Sequence, residues 1–174
     1  TTSKTEPKGR ATVEEIYTQI FKDLEQAKTD LDGFTPSTAQ EKYKPNVSVV
    51  NGLLARAYLL TGQYEEAAKA AKAAQEGYPL MKDAATYKGF NDISNSEWIW
   101  GHPQSTTQSD PSYNFYYVDA EEPDSYNSFM ADPHFYNLFS KNDIRRELFK
   151  WMREGYMGYC KFRIRADQTG DIVV

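Results

Sequence analysis

At 174 residues and a net charge of −5, the chain has the length of one ordinary domain and no basic stripe with which to neutralise phosphates, so nucleic acid is excluded as a natural partner. No apolar run approaches the roughly 20 residues that span a bilayer as a helix, and the first residues lack the basic, apolar and small-residue order of a signal peptide. The single cysteine, Cys160, rules out an internal disulfide and leaves the compartment open.

Residues 1–10 are polar, contain Pro7 and Gly9, and read as a tail or linker. Thr12-x-x-Glu15 has the spacing of a capping box, in which hydroxyl and carboxylate accept from backbone amides left free at a helix start. Val13, Ile16, Tyr17, Ile20, Leu24, Ala27 and Leu31 recur at three and four, which predicts one long amphipathic helix ending near Gly33. Phe34 to Asn46, with Pro36 and Pro45, is predicted to be a loop. From Pro45 to Pro79 two helical faces, Val50/Leu53/Leu54/Ala57/Tyr58 and Tyr64/Ala67/Ala68/Ala71/Ala74, flank Thr61-Gly62-Gln63. This predicts a helical hairpin whose turn places Gly62 in the left-handed conformation. Alanines keep the facing backbones close, and Tyr58 and Tyr64 are expected to fill the wedge between the helices. The set Leu54, Ala55, Tyr58, Gly62, Tyr64, Ala67, Ala71, Ala74 and Pro79 resembles a tetratricopeptide repeat. One such unit cannot bury both of its faces, so it requires helical neighbours, and the stripe of the first helix is a suitable cover.

Beyond Leu80 the helical period fades. Trp98-Ile99-Trp100 reads as a short strand. His102 to Ser128 is loop-like and polar, yet carries Tyr113, Phe115, Tyr116, Tyr117 and Tyr126; so long a segment in a compact domain is usually functional or disordered, and five rings argue against disorder. Asp132-Pro133 then supplies an N-cap and a first-turn proline for a short helix, His134 to Phe139, with Phe135, Leu138 and Phe139 expected inward. Tyr159 to Arg165 alternates as a strand does, and the chain closes on Ile172-Val173-Val174. The predicted fold is mostly α, with tetratricopeptide-like helical hairpins, a long irregular aromatic-rich loop region and short strands. Its expected divisions are the tail at 1–10, the helical region at 11–80, and an irregular region at 81–174 that ends as if cut.

In this order the elements resemble the SusD/RagB family of outer-membrane nutrient-binding lipoproteins of Bacteroidota. The resemblance is carried by Tyr17-x-x-Ile20-x-x-Asp23-Leu24-x-x-Ala27-x-x-x-Leu31, by Asn51-Gly52-Leu53-Leu54-Ala55-Arg56-Ala57-Tyr58-Leu59-Leu60-Thr61-Gly62-x-Tyr64-x-x-Ala67, and by Gly77-Tyr78-x-Leu80. Ser96-Glu97-Trp98-Ile99-Trp100 and Asn142-Asp143-Ile144-Arg145-Arg146 follow in place. The match runs from about residue 11 to 165. It implies an internal fragment of a longer surface protein that binds oligosaccharides without catalysis, and passes them to a SusC-like TonB-dependent transporter. Membrane association would come only through a lipid anchor absent from this chain, and Cys160 lies too late to carry it. The alternative is a tetratricopeptide-type scaffold for protein partners, or a family member that captures peptides.

Sugars offer apolar C–H faces to aromatic rings and hydroxyls to short polar side chains, so a glycan site needs rings interleaved with such groups. Tyr113-Asn114-Phe115-Tyr116-Tyr117-Val118-Asp119 has that mixture, with His102 nearby. Tyr113, Tyr116, Tyr117 and Trp100 are the candidate stacking platforms, and His102, Asn114 and Asp119 the candidate polar partners. Packing is the competing role for each ring, and the expected one for Trp98, Trp100 and Trp151, with Trp100 kept beside it as a candidate platform. Asp119, Glu121, Glu122 and Asp124 lack the regular ligand spacing of a calcium loop and read as a solvated acidic turn. No zinc ligand spacing, nucleophile motif, phosphate-binding glycine loop or dinucleotide fingerprint occurs, so neither metal, cofactor nor catalysis is expected. Asp143 with Arg145 and Arg146 reads as a cap or salt bridge, and Cys160 as a small buried side chain.

Overall fold

A reciprocal cap starts the first helix, as the Thr12/Glu15 spacing predicts. The Thr12 amide donates to Glu15 Oε2 at 2.8 Å and the Glu15 amide to Thr12 Oγ1 at 3.1 Å. The computed structural model describes residues 9–81, 89–104, 121, 130–153, 155–163, 165 and 172–173. The chain forms two compact units, Thr1–Thr35 with Pro45–Glu76, and Pro36–Lys44 with Gly77–Val174.

The first unit is three helices, α1 (Val13–Asp30), α2 (Val47–Leu60) and α3 (Tyr64–Gln75). Asn46 caps α2 by accepting from the Val49 amide at 3.1 Å, and does so while almost fully buried. At the other end Thr61 Oγ1 donates to the Ala57 carbonyl at 2.9 Å, and Gly62 takes φ +75°, the left-handed turn its position predicts. Val49, Val50, Leu54 and Ala57 of α2 are buried together with Ala67 and Ala74 of α3. The two helices come close: a Cβ added at Gly52 would stand 4.0 Å from that of Ala74, leaving room for little more than a methyl group. On its other side α2 meets α1 through Tyr58, whose ring stacks on Phe21 at 4.7 Å and 25°. Burial holds the Tyr58 hydroxyl above its ordinary pKa, helped by the carboxylates of Glu25 and Glu66.

Several sequence expectations change in this unit and its connection. Tyr64 does not fill the wedge: it is 70% exposed at the first position of α3, while the Tyr58 ring lies against Phe21 of α1. Ala68 and Leu53 also face outward, so the inner faces are narrower than the periodicity implied. No residue of α1 is fully buried: its stripe lies against α2, and Val13 and Ile16 stay exposed. The predicted loop from Phe34 to Asn46 contains a 3-10 helix, Ala39–Tyr43.

In the second unit that 3-10 helix lies beside β1 (Gly101–His102), which pairs antiparallel with β4 (Ile172–Val173). Asp132 caps α4 (Pro133–Asn137) by accepting from the His134 amide at 2.8 Å. A second 3-10 helix, Ile144–Leu148, leads into a hairpin of β2 (Phe149–Arg153) and β3 (Tyr156–Tyr159). The Ala131 amide donates to the Met157 carbonyl at 2.8 Å and adds a bridge to β3 on the side away from β2. Among the described residues, Ile93, Trp98, Leu148, Met157 and Cys160 are the buried apolar side chains.

Around them runs a chain of rings. Trp98 meets Phe90 at 5.1 Å, Phe90 meets Phe162 at 6.0 Å, Phe162 meets Tyr159 at 6.5 Å, and Tyr159 meets Phe149 at 5.1 Å. Phe149 is then surrounded by Phe135, Tyr136 and Phe139. The expected strand at Trp98-Ile99-Trp100 is absent, since the ladder starts only at Gly101 and Trp98 turns into this ring chain instead. Leu138, expected inward, is 80% exposed, and Phe135 is 52% exposed even within its ring contacts. The alternation from Tyr159 to Arg165 continues as a ladder only to Tyr159, followed by an isolated bridge between Phe162 and Gly89. Cys160 is buried as expected, just beyond the strand.

Candidate functional site

Of the seven residues singled out by their chemistry, Trp100 and His102 lie within the described residues. Tyr113, Asn114, Tyr116, Tyr117 and Asp119 lie outside them. Trp100 is half-buried and its indole N–H donates to the Tyr43 carbonyl at 3.0 Å, so the end of the 3-10 helix fixes the ring's orientation. Among the described residues no ring or cation covers it. Two residues on, His102 is exposed on β1 with its Nδ1 3.5 Å from Gln104 Nε2.

The backbone around these two residues is tied down from both directions. Lys42 Nζ donates to the Asn95 carbonyl at 2.6 Å, and Arg165 donates to the carbonyls of Asn91 and Gln104 at 3.1 and 3.3 Å. Partial burial holds the Lys42 ammonium below its ordinary pKa, with the Asp92 carboxylate opposing the shift. Asn91 Nδ2 donates to the Arg163 carbonyl at 2.7 Å, and the Arg163 amide to the Gly89 carbonyl at 3.0 Å. A ring and an imidazole held on a stapled segment form the described edge of the ring-rich loop. The pair can supply stacking and a hydrogen bond, and offers no nucleophile or paired carboxylates for bond cleavage.

Glu121 corrects the reading of the acidic turn. It is not solvated: its side chain is 10% exposed and pairs with Lys150 at 2.9 Å and Arg163 at 2.7 Å. Its carboxylate holds the Lys150 ammonium above its ordinary pKa. Glu122 and Asp124 lie outside the described residues, and among the described ones no three His, Cys, Asp or Glu side chains converge as metal ligands. Trp151 also departs from expectation. Expected to pack, it is 56% exposed on β2. The signal missed was the hairpin itself, two ring-rich runs around Gly155, whose φ of +78° closes the turn.

Asp143 has the structural role its position implied. It accepts from the Arg145 amide at 2.9 Å, capping the second 3-10 helix, and takes both Nε and Nη2 of the Arg145 guanidinium. These bonds hold its carboxyl down to about 2. A depressed carboxylate pKa stabilises the fold above the unfolded value near 4, and that contribution disappears as pH falls through about 2. Asp143→Asn is therefore expected to melt lower than the parent at pH 7, with the gap closing between about pH 4 and 2. Thermal melts across that range check it, and a gap constant with pH would contradict the assignment.

A groove of about 600 Å³ lies in the helical unit, lined by Val13, Tyr17, Phe21, Leu60, Thr61 and Gln63. Neither of the two described candidates, Trp100 and His102, is among its lining residues. No helix among the described residues is long and apolar enough to cross a membrane.

Comparison with solved structures decides the family. A SusD-like carbohydrate-binding protein from Bacteroides vulgatus ATCC 8482 superposes with a TM-score of 0.84 and 36% identity over 97% of this chain. This chain belongs to the SusD-like family. A second protein of that organism, described as sugar-binding, aligns with a TM-score of 0.69 and 24% identity over 96% of the chain, and at that identity shows the shared fold alone. The SusD-like chain spans 38% and 39% of the lengths of these two proteins. No family model matches it, and no curated protein does.

Proposed function

We propose that this SusD-like chain serves a non-catalytic protein that binds oligosaccharides at the bacterial cell surface. The observation that carries the reading is its 36% identity, over 97% of its length, to a protein described as SusD-like and carbohydrate-binding. The ring chemistry supports it independently: Trp100 is oriented by its bond to Tyr43, and His102 beside it is exposed. Recognition would be by stacking on Trp100, Tyr113, Tyr116 and Tyr117, with hydroxyls met by His102, Asn114 and Asp119. A SusC-like TonB-dependent transporter as partner, uptake through it, and attachment to the outer membrane by a lipid anchor complete the proposal.

Calorimetry or affinity electrophoresis across a glycan panel tests the binding step. At least one oligosaccharide is expected to bind saturably, and no binding across a broad panel would overturn the reading. Co-purification with a co-expressed transporter tests the partner. The tetratricopeptide-scaffold alternative draws on the exposed Leu59, Leu60 and Tyr64 at the hairpin tip. It requires a protein ligand lost on substitution there, with glycan binding absent.

A further inference from the structure

We propose that Trp151, on the β2–β3 hairpin, is a second saccharide-stacking platform, outside the Trp100–Asp119 stretch; the proposal rests on the glycan-binding reading above. Side chains alternate along a strand, so Phe149 and Trp151 share one face of β2. They are treated very differently. Phe149 has four rings within 6.0 Å, and two of them are covered by cations, Arg145 lying 4.6 Å over Phe139 and Arg146 3.9 Å over Tyr136. Trp151, one period along, is 56% exposed with no ring, cation or hydrogen-bond partner among the described residues.

The ring is exposed on a held backbone, not on a loose one. Trp151 pairs with Met157, which is 2% exposed, and the Met157 carbonyl accepts from Ala131 on the far side of β3. The adjacent strand position, Lys150, is drawn away by Glu121, itself held by Arg163. A half-wet indole on a rigid strand offers an apolar face and, among the described residues, an unused N–H donor. A pyranose matches this: its C–H face covers the indole and its hydroxyls accept and donate at the edges.

Calorimetry of the protein against glycans that it binds, with Trp151→Ala and Trp151→Phe, tests the assignment. Trp151→Ala is expected to weaken binding about tenfold, the scale of one lost stacking contact, while Trp151→Phe retains most of the affinity. Because the side chain is exposed, both variants should keep the parent's circular dichroism and melting temperature. A loss of about threefold or more for the alanine variant, with affinity restored by phenylalanine, supports the platform. A smaller loss, or no restoration by phenylalanine, overturns it and leaves the glycan-binding reading intact. Failure of the unsubstituted protein to bind any glycan overturns both.

Discussion

Replacing Trp98 by alanine is expected to cost about 3–5 kcal/mol of stability. The side chain is 1% exposed and is the bulkiest of the fully buried ones. It ends a continuous chain of rings through Phe90, Phe162, Tyr159 and Phe149, so its removal leaves a cavity bordered by side chains already committed to other contacts. A domain's net stability is about 5–15 kcal/mol, so the loss is a large part of the whole. Trp98→Phe separates shape from polarity. The buried indole N–H has no hydrogen-bond partner among the described residues, and a phenyl ring removes that orphan donor while keeping most of the volume. Phenylalanine is therefore expected to cost less than about 1.5 kcal/mol. All three tryptophans belong to the second unit, so urea titrations followed by tryptophan fluorescence report on that unit specifically. Equal costs for the two variants would show that the N–H, and not the ring volume, matters at this site.

The helical half was legible because its signals are local. Thr12 and Glu15, Asn46 and Val49, and the left-handed Gly62 each act within four residues, and the chain carries them in order. Where a side chain points depends instead on what lies across from it. Tyr64 satisfies the apolar period, yet it opens α3 where no neighbouring helix covers it, and it faces water. In the irregular half almost every decision is long-range. Lys42 reaches Asn95 53 positions away, Trp100 reaches Tyr43 57 away, and Lys150 reaches Glu121 29 away. An apolar Trp-Ile-Trp run therefore reads as a strand, while Phe90 and the Tyr43 carbonyl settle its actual course.

The same distances explain the aromatic surplus. Phe90, Phe135, Tyr136, Phe139, Phe149, Tyr159 and Phe162 pack against one another, which is the role that competes with ligand stacking for any ring read from sequence. In this unit rings take the place that aliphatic helix faces occupy in the other. Two tryptophans stand apart from that pattern among the described residues, Trp100 with its N–H fixed and no ring against it, and Trp151 with neither. Composition alone does not separate these from Trp98; only exposure and partners do.

Simultaneous replacement of Tyr113, Tyr116 and Tyr117 by alanine is expected to weaken glycan binding about a hundredfold. Each stacked ring contributes on the order of 1 kcal/mol beyond the area it covers, and three such losses amount to about 3 kcal/mol. Under the proposed reading Asn114 and Asp119 would meet hydroxyls, so Asn114→Ala should cost less than the three rings together. The comparison that gives the result its meaning is Leu60→Ala with Tyr64→Ala, on exposed positions of the helical tip. Under the glycan-binding reading that pair leaves affinity unchanged, because the helices carry the site without touching the sugar. Under the scaffold reading the order reverses, with the tip substitutions abolishing a protein interaction and the loop tyrosines dispensable. Unchanged glycan affinity in the triple tyrosine variant would remove the loop from the site.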